Sequence, residues 1–166
     1  MNLLFYGLAA VAIMAVVVLI AGFTLPETRS GSHTLEIAAP PRIVRDVILD
    51  IESQPRWRDG IVGVERTGQG WTEITARGEK IEFRLEAATD AEIRMSFVSS
   101  YGYQGQWTGR LNPLEDGGTQ LAVTETATTP SPFGRVLSIL FFNPEAFARA
   151  YLESLEREAI ARISGE

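Results

Sequence analysis

The chain has 166 residues, 45% of them hydrophobic and 22% charged, which suffices for one domain with a buried core and is too short for two ordinary ones. It contains no cysteine, which excludes disulfides, thiolate zinc sites, iron–sulfur clusters and a cysteine nucleophile. Every Asp, Glu, Lys, Arg and His lies at or after Glu27, and the net charge is -6. An acidic domain does not attract phosphate backbones through its overall field, so no nucleic-acid partner is expected.

Leu3 to Leu25 is a continuous apolar run. As a helix it reaches roughly 34 Å, against about 30 Å of bilayer hydrocarbon, so it is long enough to span. A cleaved signal peptide is the main alternative and a buried core helix a lesser one. The start Met1-Asn2 carries no Lys or Arg, the run exceeds the usual signal length, and Ala21-Gly22-Phe23 is a poor cleavage site. The expected organisation is therefore a transmembrane anchor over 1–25, a linker over 26–31 and one domain over 32–166. Arg29, Arg42 and Arg45 follow the anchor while nothing basic precedes it, which favours a domain on the cytoplasmic face.

His33 to Ala38 alternates as a half-buried strand, with Leu35 and Ile37 on one face. Pro40-Pro41 then opens a helix whose stripe is Val44, Val47, Ile48 and Ile51. Ser53 to Gly60 reads as a second short helix or tight turn. From Ile61 to Thr128 the period is two, and turn signals at 67–70, 77–79, 89–90, 101–102 and 116–118 divide it into six strands. Ile81, Phe83, Leu85 and Ala87 share one face, Ile93, Met95 and Phe97 the next, then Trp107, Gly109 and Leu111, and finally Leu121, Val123 and Glu125. After Thr129-Pro130-Ser131-Pro132 the period turns helical. Phe133 to Phe142 is apolar except for Arg135 and Ser138, and reads either as a lid under the sheet or as a face against a bilayer. Asn143-Pro144 has the form of a cap, and the final helix carries Phe147, Tyr151, Leu155, Ala159 and Ile163 as its stripe.

This order of elements resembles the polyketide cyclase/dehydrase and lipid-transport group of the START-like (SRPBCC, Bet v 1-like) superfamily. The resemblance is carried by Ala39-Pro40-Pro41-Arg42-Ile43-Val44, by Asp50 to Trp57 with its Pro-x-Trp phrase, and by the closing helix. It implies an α+β helix-grip fold, a curved seven-stranded antiparallel sheet around a long C-terminal helix, with an elongated cavity between them. In such families the aromatic at Trp57 closes one end of the barrel.

The candidate ligand-binding residues are Phe83, Leu85, Met95, Phe97, Trp107, Leu121 and Val123 from the strands and Phe147, Tyr151 and Leu155 from the helix, with plain core packing as the alternative for each. Tyr101 and Tyr103 read as a cavity mouth or an exposed hairpin end. Glu125 shares parity with Leu121 and Val123, so it either enters the interior, hydrogen-bonded or with a raised pKa, or reaches solvent at the strand's end. His33 is the sole histidine, so a Ser-His-Asp triad and a multi-histidine metal site lack parts; no catalytic residue, metal or cofactor is expected. Glu82 and Glu86 fall on the solvent face, and no nucleotide-binding or calcium-loop motif is present. The function expected is non-covalent binding of a hydrophobic or amphipathic, lipid-like small molecule. A cyclase or dehydratase acting by proton transfer, and a tethered interaction module, are the other readings; the oligomeric state does not follow from these residues.

Overall fold

The computed structural model describes residues 2–68 and 70–165. The termini of the expected anchor and domain at Met1 and Glu166, and Gln69 in the first hairpin turn, lie outside them. In chain order the elements are α1 Asn2–Thr24, β1 Thr28–Ile37, α2 Pro41–Leu49, a 3-10 turn at Ile51–Ser53, α3 Gln54–Trp57, β2 Ile61–Thr67, β3 Gly70–Thr75, β4 Lys80–Ala88, β5 Glu92–Ser99, β6 Gln104–Pro113, β7 Thr119–Thr128, α4 Pro132–Phe141 and α5 Pro144–Ser164. The seven strands form one antiparallel sheet in the order β1-β7-β6-β5-β4-β3-β2. This is the expected helix-grip arrangement.

α1 carries no charged residue and is exposed along most of its length. It is long and apolar enough to cross a bilayer. The segment 26–31 is not a linker throughout, because β1 already starts at Thr28. Its polar residues find a use on the outer face, where Thr28 pairs with Thr128, Ser30 with Thr126 and Ser32 with Thr124 through their hydroxyls. On the inner face, Gly31 lets α5 approach: a Cβ there would stand 2.5 Å from the Pro144 ring. Apolar alternation is missing in this stretch because close approach, rather than side-chain burial, is what its inner position provides. His33 is accordingly mid-strand, opposite Val123 and half-buried, instead of at the strand's start.

α5 packs most closely on β1 and next on α2, which covers its C-terminal half, with β7 touching it more lightly. Arg162 near its end donates to Asp50 at 2.7 Å and to Ser53 at 3.0 Å. The buried stripe of α5 is Ala148, Leu152, Leu155 and Ala159; the expected series holds at Leu155 and Ala159 and, half-buried, at Tyr151, but fails at its ends, where Phe147 and Ile163 are 43% and 50% exposed. A strict spacing of four advances about 40° per step around a helix of 3.6 residues per turn, so that series leaves the contact face at both ends.

The core is concentrated at the α2 end of the grip. Val44, Val47, Ile48 and Ile51 meet Leu111, Leu121, Leu152, Leu155 and Ala159 there, all nearly or fully buried. At the opposite end the side chains between α5 and the sheet are partly open: Phe83, Tyr103, Glu125 and Tyr151 are half-buried.

Candidate functional site

Inside the grip, strand parity and register set the cast. Trp71 stands opposite Phe83, Phe83 opposite Phe97, Met95 opposite Trp107 and Trp107 opposite Glu125, so one sheet face presents a row of aromatics with acids at two places. Trp71 and Phe83 stack with centroids 5.3 Å apart, Phe83 and Phe97 follow at 5.6 Å, and Phe97 meets Tyr103 edge-on at 6.2 Å. From α5, Tyr151 reaches between Trp57 at 6.0 Å and Trp107 at 5.8 Å. Two glycines make room for the large rings. A Cβ on Gly109 would meet the Trp107 ring at 2.4 Å, and one on Gly105 the Phe97 ring at 2.6 Å.

Into this aromatic interior the chain inserts a charged cluster. Arg58, just after α3, donates to Glu73 of β3 at 2.7 Å and also to the Gln54 side chain. Its guanidinium lies 5.3 Å from the centre of the Tyr151 ring. Glu73 is 2% exposed; its Oε1 also accepts from the Trp71 indole at 3.3 Å, while its Oε2 is buried with no partner. Burial works against the Arg58 charge, but the Glu73 carboxylate holds its pKa above the ordinary guanidinium value.

Glu125 does point inward. Burial pushes its carboxyl up to about 7, Arg58 pulls the other way, and the Glu73 charge adds to the rise. Burial together with the nearby Glu79 carboxylate raises the Tyr103 phenol, and burial raises the Tyr151 phenol. Ser99, on the same face, donates to Glu79. The arrangement can therefore offer a guest π-faces, a neutralised cation, an unpaired carboxylate oxygen and an acid that titrates near neutrality.

The expected site residues separate into three groups. Phe83, Phe97, Tyr103, Trp107, Glu125 and Tyr151 come together in this half of the interior. Met95, Leu121, Val123 and Leu155 are 6%, 0%, 2% and 0% exposed and belong to the packed core. Leu85 and Phe147 are 40% and 43% exposed. Leu85 sits at a register shift of β4 against β5, beyond the strip that α5 covers. Tyr101 is an exposed hairpin ring whose hydroxyl donates to the Arg77 carbonyl at 3.1 Å, tying two hairpin turns together. Glu82 is exposed on the outer face as expected, and so is Glu86, which accepts from Ser96 there.

Sequence reasoning did not single out Arg58, Glu73, Gln54 or Trp71. A signal for Glu73 was present: it shares parity with Trp71 in Gly-Trp-Thr-Glu-Ile, the same pattern that drew attention to Glu125 after Leu121 and Val123. Arg58 follows a short helix, and nothing local indicates which way it turns.

Two clefts with room for a guest occur outside the interior. One of about 320 Å³ runs along β3 to β5 beside the outward Glu82, Arg84, Glu86 and Ser96. Another of about 540 Å³ lies between α1 and α4, lined by Val11, Met14, Ala15, Val18, Leu19 and Phe133. The interior itself is narrower than a plain hollow, because its rings touch one another across it. Among the described residues no cluster of His, Asp or Glu is arranged to hold a metal.

Residues 28–163, nearly all of the chain after α1, match the family described as polyketide cyclase / dehydrase and lipid transport. The chain belongs to that family. Solved structures with the same fold include the Zhui aromatase/cyclase from Streptomyces sp. R1128, at 18% identity and a TM-score of 0.66 over 82% of this chain and 96% of that one. A START superfamily protein from Mycobacterium smegmatis superposes at 16% identity and a TM-score of 0.61, covering 78% and 96%. Norcoclaurine synthase from Thalictrum flavum, in complex with dopamine and hydroxybenzaldehyde, superposes at 13% identity and a TM-score of 0.63, covering 85% and 91%. At these identities the likeness establishes the fold. No curated protein matches the sequence. Within the polyketide cyclase / dehydrase and lipid transport family, then, this member combines the helix-grip with an N-terminal apolar helix of spanning length.

Proposed function

We propose that this protein is a membrane-anchored START-like domain that binds a hydrophobic or amphipathic, lipid-like small molecule between α5 and the sheet. α1 is the anchor in this reading, with the domain on the cytoplasmic side that Arg29, Arg42 and Arg45 favour. The observation that carries it is the Glu73 Oε2, buried in an aromatic interior without a hydrogen-bond partner. Such an orphan is rare in folded proteins and costs about 1–3 kcal/mol, which a guest's hydroxyl or ammonium group would recover by donating to it. The apolar body of that guest would lie among Phe83, Phe97, Tyr103, Trp107 and Tyr151, and its entry requires those rings to part.

The test is native mass spectrometry of the detergent-extracted full-length chain. A small molecule should remain bound to the wild type, and the Glu73→Gln variant should retain much less of it. A folded wild type that carries no adduct after exposure to a lipid extract would overturn the reading. A second reading, proton-transfer catalysis on a bound polyketide-like substrate, is favoured by Glu125 alone, whose pKa of about 7 suits a general acid or base. It requires turnover with a pH profile that disappears in Glu125→Gln while ligand binding persists.

A further inference from the structure

α4 is built inside out for water. Phe133, Leu137, Leu140 and Phe141 recur at i, i+4, i+7 and i+8, forming one stripe, and they are 56%, 39%, 66% and 76% exposed. The helix's one charged residue, Arg135, is 7% exposed. It donates to the Thr129 carbonyl at 3.0 Å, to the Pro130 carbonyl at 2.8 Å and to Glu27. A helix that hides its arginine and presents five large apolar side chains, Ile139 beside the stripe included, fits surroundings that are themselves apolar.

Its neighbours say what those surroundings are. The first turn of α4 touches α1 at Gly22, where a Cβ would stand 2.1 Å from the Pro132 carbonyl oxygen. Phe133 then shares an apolar cleft with Val11, Met14, Ala15, Val18 and Leu19, so the exposed surface of α4 continues that of α1 at mid-span. The far end of α4 is held by Arg29, which donates to the Ser138 carbonyl at 2.8 Å and the Phe142 carbonyl at 3.1 Å. Arg29 belongs to the inner face of β1, two residues before Gly31. α4 thus runs from the end of α1 across the edge of the grip where β1 starts and β7 ends. That is the half in which Tyr103, Glu125 and Tyr151 are only half-buried.

We infer that α4 is a lid lying in the bilayer that α1 crosses, with the Phe133, Leu137, Leu140 and Phe141 stripe in the acyl region and the partly open half of the grip facing the lipid. Glu27, Arg29 and Arg135 then form a polar collar at the headgroup level, joining α4 to the domain. The guest accordingly enters from the membrane past α4 rather than from the aqueous phase. This inference rests on the anchor reading of α1, and the experiment separates the two.

Because the chain has no native cysteine, single-cysteine variants of the full-length protein can carry an environment-sensitive fluorophore at one defined point. Three are compared in phosphatidylcholine nanodiscs: Met14→Cys in α1, Leu140→Cys in α4 and Glu115→Cys in the exposed β6–β7 turn. With immersion of about 5–10 Å, doxyl-labelled lipid should quench the probe at 140 at least about twofold more than the probe at 115, while aqueous iodide shows the reverse order. Quenching at 14 by lipid, with iodide reaching 140 as freely as 115, would overturn the lid while leaving the anchor intact. A probe at 14 reached by iodide would remove the anchor itself. A probe at 140 shielded from both quenchers would mean that a protein surface, a second copy or another chain, covers α4, which also overturns the inference.

Discussion

Replacing Glu125 by Gln tests whether the interior of the grip is as dry and as acidic as the structure implies. The wild-type carboxyl has its pKa raised from 4.5 to about 7 by burial, with the Glu73 charge adding and Arg58 opposing. A raised acid binds its proton more tightly in the folded chain than in the unfolded one. Its contribution to stability is therefore fully present below about pH 4.5, falls as the pH rises through the folded value near 7, and levels off above it. At about 1.4 kcal/mol per pKa unit, the loss across that window is on the order of 3 kcal/mol. Glutamine keeps the shape, cannot ionise, and removes this contribution. Trp57, Trp71 and Trp107 all report from the same interior, so urea unfolding of the full-length chain in detergent micelles can be followed by tryptophan emission between pH 5 and pH 8.5. The wild type should lose stability with rising pH relative to Glu125→Gln, by on the order of 3 kcal/mol over the window. Equal pH slopes for the two proteins would refute the reasoning, because they would mean that water already reaches the Glu125 carboxyl. The difference between two chains that share every other titrating group isolates the single term.

Arg58→Met should cost about 3–5 kcal/mol in the same unfolding assay, because it leaves the Glu73 carboxylate buried without its cation; Arg58→Met combined with Glu73→Leu should recover much of that loss. Gly31→Ala should destabilise by about 1–3 kcal/mol, since the added methyl meets Pro144 and its backbone at 2.5–2.7 Å and must push the start of α5 away from β1. Asn143→Ala should cost about 1 kcal/mol, as the Asn143 side chain caps α5 by accepting from the Glu145 and Ala146 amides, each at 3.1 Å; an unchanged unfolding midpoint would show that the cap contributes nothing.

The order of elements was legible because each depends on local chemistry. Glycine turns at 78, 102 and 117 have positive φ angles of 80°, 83° and 88°, and they fall between runs with a period of two, broken within β4 only by the register shift at Leu85. Pro41, Pro132 and Pro144 each open a helix, and Ser131 and Asn143 cap theirs. The family resemblance follows from that order, and so does the inward parity of Glu125. The apolar composition of α1 needs no tertiary context either.

Contacts between distant segments decided the rest. Strand parity places Phe83, Met95, Phe97, Trp107, Leu121 and Val123 on one face, but only the packing of α2 over one end of α5 separates the sealed core from the partly open half. The Arg58–Glu73 pair joins residues 15 apart in sequence across two elements, and α4 turned its arginine inward because Glu27 and the Thr129 and Pro130 carbonyls were there to receive it. A residue's own sequence neighbourhood states whether it can be buried and in which rhythm. What it is buried against depends on chain brought from far away, and there the free energy of a charge, an orphaned oxygen or an exposed ring is settled.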